Sequence, residues 1–177
     1  SMKKTTNIVV AGLGGQGVIT ASDILAEAAF RAGFDVKKSE IHGMSQRGGS
    51  VSSDVRYGEV VFSPMVPEGE ADFLVVLDPS QIEYNRHVLH PQGELITPDI
   101  FFDEDEGISD LDDLDADETI PITKRTLNTA VLGALSARLE IPESAWLEAI
   151  AANLRSAYLN DNTEAFLFGR RRNNSGA

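Results

Sequence analysis

Residues 7 to 11, NIVVA, are a short apolar run that passes directly into GLGGQG and then into VITASDILAEAAFRAG. The run is too short for a buried helix and ends on glycine, so it reads as a buried strand. In the segment after it, Val18, Ala21, Leu25, Ala28, Ala29 and Ala32 recur at helical spacing, and Gly33 is placed to cap the helix end. A strand that turns on glycines straight into a helix constrains the fold severely. The helix must lie back across a sheet, which predicts an α/β architecture.

The rest of the chain extends that pattern. FDV and the residues after it read as a second strand, completing a β-loop-α-β unit. VSSDVRY and EVVFSP, separated by Gly58, read as an antiparallel hairpin. ADFLVVLDPSQ is the next junction, an apolar strand ending in Asp78, where Asp78 and Gln81 fit a capping box around Pro79 for a helix carrying Ile82, Arg86 and Leu89. GELITP and TIPIT read as short strands. Leu127, Val131, Leu135 and Leu139 mark one helix, and Trp146, Ile150, Leu154 and Ala157 a second, with Pro142 between them. The expectation is a three-layer α/β sandwich with a mostly parallel, mixed sheet, Rossmann-like, forming a single domain over residues 2–177.

Composition excludes several kinds of chemistry. The 177 residues contain no cysteine, so the chain offers no thiol nucleophile and no thiolate for an iron–sulfur cluster. The three histidines, His42, His87 and His90, form no H-x-x-x-H pair, and no metal site is expected. The net charge of −13 is local: residues 103–118 hold ten of the 28 acids and no base, leaving 18 acids against 15 bases elsewhere. That segment reads as a solvated acidic loop within the domain; a docking surface for the Arg170-Arg171-Arg172 tail or for a partner is the alternative. No calcium loop is supported, because Gly107 comes one position early for an EF-hand. No basic patch points to nucleic acid, and no apolar run or leader points to a membrane or to export, so a cytoplasmic protein is expected.

Gly12-x-Gly14-x-x-Gly17 matches the dinucleotide fingerprint, with a strand before it and a helix after it. Gly12 permits a tight turn, Gly14 or Gly15 permits close approach of a ligand to the backbone, and the N–H groups that open the helix suit a diphosphate or carboxylate. The glycines also serve close packing of helix on strand, a reading that needs no ligand. About 20 residues past the last glycine, the acid expected to hold a ribose is replaced by Lys37 and Lys38, which suit a 2′-phosphate. A self-contained NADP enzyme is therefore one candidate. Further along, EIHGMSQRGGS, Glu40 to Ser50, is too long and too polar for a simple turn.

Taken in order, VVAGLGGQGVITASDILAEAA, SEIHGMSQRGGSVSSDVRYG and VFSPMVPEGEADFLVVLDP resemble the gamma-type subunit or domain of the 2-oxoacid:ferredoxin oxidoreductases. The form HGMSQRGGS is most similar to the indolepyruvate branch, whose beta subunit carries it. The resemblance is close from Asn7 to Asp78 and looser through Asn128 and Leu132-Gly133. It implies a subunit of an enzyme that oxidatively decarboxylates an aryl 2-oxoacid such as indolepyruvate, using coenzyme A and ferredoxin. Thiamine diphosphate and the iron–sulfur clusters are then expected on a larger partner subunit, with this chain inactive alone and no catalytic residue in it.

By resemblance, Gly12, Gly14, Gly15, Gln16, Gly17 and Asn128 are the candidates for binding CoA at a site shared with the partner. Asn128 reads equally as an amide satisfying a neighbouring loop. Glu40, Ser45, Gln46, Arg47, Gly48 and Gly49 are candidates for a subunit or ligand contact. Arg47 is either a forked donor to a phosphate or carboxylate or a clamp to Glu40 or Asp54; His42 reads as a hydrogen-bonded spacer rather than an acid–base group. A hetero-oligomer is expected, with a homodimer as the alternative for the isolated chain. A third reading is a phosphate-binding regulatory module that catalyses nothing.

Overall fold

A computed structural model describes residues 4–42, 48–102 and 120–174. Five strands, β1 (Thr6–Leu13), β2 (Asp35–His42), β3 (Ser50–Gly58), β4 (Ala71–Val76) and β5 (Leu89–Ile96), form one sheet in the order β2-β3-β1-β4-β5. β4 runs parallel to β1 and β5 parallel to β4, while β3 is antiparallel to both β1 and β2. All strands but β3 thus point one way, and the mixed α/β sheet agrees with the sequence reading. β2 does not lie beside β1, however: β3 is inserted between them, so the expected β-loop-α-β unit spans a gap of one strand.

The expected hairpin across Gly58 does not form. β3 pairs instead with β2, and EVVFSP is not a strand. Within it Val60 and Phe62 are 53% and 92% exposed while Val61 turns inward, as does Val66 beyond it. Three side chains hold this segment: Asp35 Oδ2 accepts from Val61 N–H at 2.8 Å, Arg56 Nη1 donates to the Ser63 carbonyl at 2.8 Å, and Asp54 Oδ2 accepts from Val66 N–H at 2.9 Å. Burial pushes the Asp54 carboxyl above the usual carboxylate range despite the Val66 N–H and the nearby Arg56. The native state then binds a proton more readily than the unfolded chain, so this group's contribution weakens as pH rises through the raised value and is constant above it. Asp54→Asn keeps an acceptor for Val66 and removes the buried charge. It is expected to melt higher than the wild type at neutral pH, with the gap closing as pH falls through the carboxylate range.

Helix α1 (Val18–Arg31) ends as expected at Gly33, whose φ is +94°: Gly33 N–H bonds to Phe30 O and Phe34 N–H to Ala29 O, a Schellman closure. After β4, the expected helix breaks into 3₁₀ turns (Pro79–Gln81 and Arg86–Val88) around a four-residue α2 (Ile82–Asn85), and Leu89 already belongs to β5. Asp78 caps through Ser80 N–H at 3.0 Å rather than closing a box with Gln81. Thr97 caps a last turn at Pro98–Phe101, and Ile120 to Thr123 of TIPIT are not strand.

The C-terminal third is α3 (Leu127–Ser136), α4 (Glu143–Asn153) and α5 (Ser156–Asn174). The second expected helix therefore stops at Asn153, and Ala157 opens a further helix that contains the arginine run. α3 is buried on every side, and α5 lies against it so closely that glycines are required where they cross. α1, α3, α4 and α5 cover one face of the sheet around a continuous core that includes Ile8, Val10, Val55, Leu132, Trp146 and Phe166. The opposite face carries a thin layer, with Val9, Ala11, Leu74 and Val76 packed under Val66, Ile82 and Val88. The sandwich has its third layer, but the long helices all lie on one side.

Candidate functional site

The glycine loop is built by backbone requirements that can be read atom by atom. A Cβ on Gly12 would sit 2.9 Å from both Gln16 Oε1 and Val18 Cγ2, so the strand end admits no side chain. Gly15 and Gly17 take φ of +90° and +81°, the left-handed region that costs other residues about 1–2 kcal/mol. Gly17 is the N-cap of α1 and has no side chain with which to cap it. The first N–H groups of the helix have no intrahelical acceptor, and with the positive end of the helix dipole they face a cleft of about 400 Å³. Leu13, Gly14, Gly15, Ile19, Thr20 and Val51 line it. No charged side chain lines this cleft among the described residues, so the polar groups it presents are chiefly those of the backbone.

The two sequence motifs meet here. Gly14 N–H donates to the Gly49 carbonyl at 2.8 Å, and a Cβ on Gly14 would lie 3.1 Å from Gly48 N. Gly48 has φ of +92°. The end of β1 and the start of β3 are adjacent through the Leu13–Ser50 register pair, which places both loops at the C-terminal edge of β1, β2 and β4, the usual ligand position in an open α/β sheet. Ser45, Gln46, Arg47 and the acidic segment 103–118 lie outside the described residues, as does the side chain of His42. Glu40 is exposed on the edge strand β2, and its Oε1 accepts from Lys38 at 2.6 Å.

Gln16 has its amide committed at both ends. Its Oε1 accepts from Leu13 N–H at 2.8 Å, and its Nε2 donates to Asp78 Oδ2 at 2.8 Å. It ties the glycine loop to the end of β4 and shapes the cleft without lining it. Asp78, seen in the sequence only as a helix cap, is the missed member of this site. Burial pushes its carboxyl up, but hydrogen bonds from Ser80 and Gln16 prevail and hold it below the usual range. Asn128 is 8% exposed and donates Nδ2 to the Gly17 carbonyl at 3.2 Å. That bond is the alternative reading of Asn128, an amide satisfying a neighbouring loop; at its other end, Oδ1 lies 3.4 Å from Thr129 Oγ1, whose shorter contact of 2.6 Å is to Asn162 Oδ1.

The lysines that kept an NADP site open do not stand where that reading needs them. Lys37 and Lys38 are on β2, which β3 separates from the glycine-bearing β1. Lys38 is bound by Asp23 and Glu40, and Lys37 by Asp35 at 3.4 Å. Arg170 is likewise committed, donating to Ser136 O and Oγ and pairing with Glu143 at 3.2 Å. Among the described residues no helix is long and apolar enough to cross a membrane.

These features define an α/β domain in which two glycine motifs meet beside an open helix start, with no acid–base pair lining the cleft among the described residues. The chain belongs to the pyruvate ferredoxin/flavodoxin oxidoreductase family, whose model matches residues 7–172. Indolepyruvate oxidoreductase subunit IorB of Methanothermobacter thermautotrophicus is 34% identical over 187 residues, covering 92% of this chain and 95% of that protein. The IorB subunit of Thermococcus kodakarensis is 54% identical over 85 residues, 48% of this chain, and that match spans 41% of the relative's length. Among solved structures, the fold matches 2-oxoglutarate:ferredoxin oxidoreductase from Magnetococcus marinus, a structure with coenzyme A and succinyl-CoA bound, at a TM-score of 0.78 and 24% identity. That match covers 98% of this chain but 32% of the other.

Proposed function

We propose that this chain is the smaller, non-cofactor-carrying subunit of an indolepyruvate, or other aryl 2-oxoacid, ferredoxin oxidoreductase, and that the cleft at the start of α1 receives a phosphate of coenzyme A. The observation that carries this reading is the 2.8 Å bond from Gly14 N–H to Gly49 O, which joins the two motifs at one anion-receptive helix start. The IorB relatives and the CoA-bound fold neighbour support it. The reaction converts a 2-oxoacid, CoA and oxidised ferredoxin to an acyl-CoA, carbon dioxide and reduced ferredoxin. Thiamine diphosphate, on the larger partner, supplies the carbanion chemistry, and the iron–sulfur clusters belong there too, since a chain with no cysteine does not fit them.

The work of this chain's residues is binding and orientation. The N–H groups of Val18, Ile19 and Thr20 face an incoming phosphate without needing to reorganise. Gln16 and Asn128 fix the loop from below, and Gly48-Gly49 close it from the side. In the assembled enzyme, Gly14→Val is expected to force the two loops apart and raise the KM for CoA about tenfold or more, with the KM for the 2-oxoacid nearly unchanged. Equal increases in both constants, or none, would remove the CoA assignment.

A further inference from the structure

On the sheet face opposite the long helices, the anchors of the 59–70 segment climb the β2–β3 ladder in order. Asp35 stands opposite Gly58, Arg56 opposite Lys37, and Asp54 opposite Ser39. The next position on the same face, two residues or about 7 Å further on, is Ser52 opposite Ile41. Among the described residues, covering by the 59–70 segment stops one step short of it. A cleft of about 60 Å³ opens there, lined by Ile41, Ser50, Ser52, Gln81, Tyr84 and Asn85 among others.

Gln81 is the anomaly in this cleft. It is 8% exposed, yet among the described residues its Oε1 has no hydrogen-bond partner; of its side-chain atoms only Nε2 is engaged there, with Ser80 Oγ at 3.4 Å. Leaving a buried acceptor unpaired costs about 1–3 kcal/mol, and such groups call for a partner from elsewhere. The surround is apolar and open: Ile41 and Tyr84 are 48% and 70% exposed, and Met65, beside the last anchored residue Val66, is 56% exposed. Buried polar acceptor and exposed aromatic and aliphatic rim together have the anatomy of an interface anchor point.

The volume limits the occupant. Small-molecule pockets run to about 300–1,000 Å³, and at about 60 Å³ this cleft is too small for a drug-sized ligand, while its exposed apolar rim of Ile41 and Tyr84 suits a side-chain tip better than a lone water, which needs about two to four polar partners. We propose that Gln81 Oε1 accepts a hydrogen bond from an N–H or O–H donor at the tip of a side chain of the partner polypeptide, seated between Ile41, Ser52 and Tyr84. This rests on reading the chain as a subunit. The site touches the glycine-loop cleft at Val51, which lines both, but its other described lining residues are different, and so is its use: one holds a ligand, the other registers the partner.

Gln81→Leu, with Tyr84→Ala as a second variant, tests this through two measurements: urea unfolding of the isolated chain and affinity for the larger subunit in reconstitution. Gln81→Leu is expected to leave the unfolding midpoint unchanged or raised, since an unpaired acceptor is lost, while weakening association about tenfold. Tyr84→Ala is expected to weaken association without moving the midpoint. The inference is overturned if Gln81→Leu associates like the wild type, if its midpoint falls, or if the variant instead abolishes a homodimer of this chain. Failure of the wild type to associate would remove the subunit reading itself.

Discussion

Gly133→Ala is expected to cost the chain about 3 kcal/mol or more in urea unfolding, a large effect for the addition of one carbon. A Cβ there would lie 2.1 Å from Phe166 O, and one on Gly169 would lie 2.0 Å from Ala130 O. Both obstacles are main-chain carbonyls of the opposing helix, so no rotamer change relieves them. α3 and α5 would have to move apart, and the core they share with Trp146 and Phe166, whose rings stand 5.6 Å apart, would open with them. Gly169→Ala should behave alike, and the double variant should cost less than the two singles together, because the helices separate only once. Full additivity would show that the two contacts are independent.

Gly17→Ala is expected to be the most damaging change at the ligand edge. It combines the left-handed φ of +81° with a Cβ 2.3 Å from Asn128 Nδ2. Gly15→Ala provides the control, having φ of +90° but open space around the added carbon. Gly15→Ala should cost about 1–2 kcal/mol from backbone strain alone, and Gly17→Ala about 3 kcal/mol, strain and overpacking together. Truncating Asn128 removes the obstacle, so Gly17→Ala combined with Asn128→Ala should recover the excess over Gly15→Ala. If the double variant is as unstable as the sum of the singles, Asn128 is not the packing partner of the loop.

The sequence was most legible where one residue answers one backbone demand. Gly33 closes α1 because only a left-handed residue completes that closure, and the turn from NIVVA into the helix needs glycine at Gly12, Gly15 and Gly17 for reasons now attached to named atoms. Pairing was not legible. VSSDVRY and EVVFSP both read as strand-like runs, yet only the first is a strand, paired on both sides. What holds the second is a set of side-chain bonds from Asp35, Arg56 and Asp54, distant in sequence and without a local signal. The inserted β3 was equally invisible, since strand order depends on long-range pairing, and it is this order that removes Lys37 and Lys38 from an NADP site.

At the site itself, the pairing of the glycine loop with Gly48-Gly49 was foreshadowed by the resemblance of two motifs in series, but their contact was not. Gln16 illustrates the difference. In the sequence it is a candidate ligand; in the fold its amide is divided between Leu13 N–H and Asp78. Nothing in the spacing of residues 16 and 78 signals that bond, which exists because β4 lies beside β1. The unpaired Gln81 is of the same kind, visible only once its surroundings are built.

The central claim is that this chain completes an enzyme whose cofactors lie on another subunit. It is tested most directly by anaerobic assay of indolepyruvate- and CoA-dependent ferredoxin reduction by the larger subunit, with and without this chain. Reduction that appears only when the two are combined, and saturates as they reach a fixed ratio, is the expected result. Reduction at the same rate without this chain, or no association between the two, would contradict it.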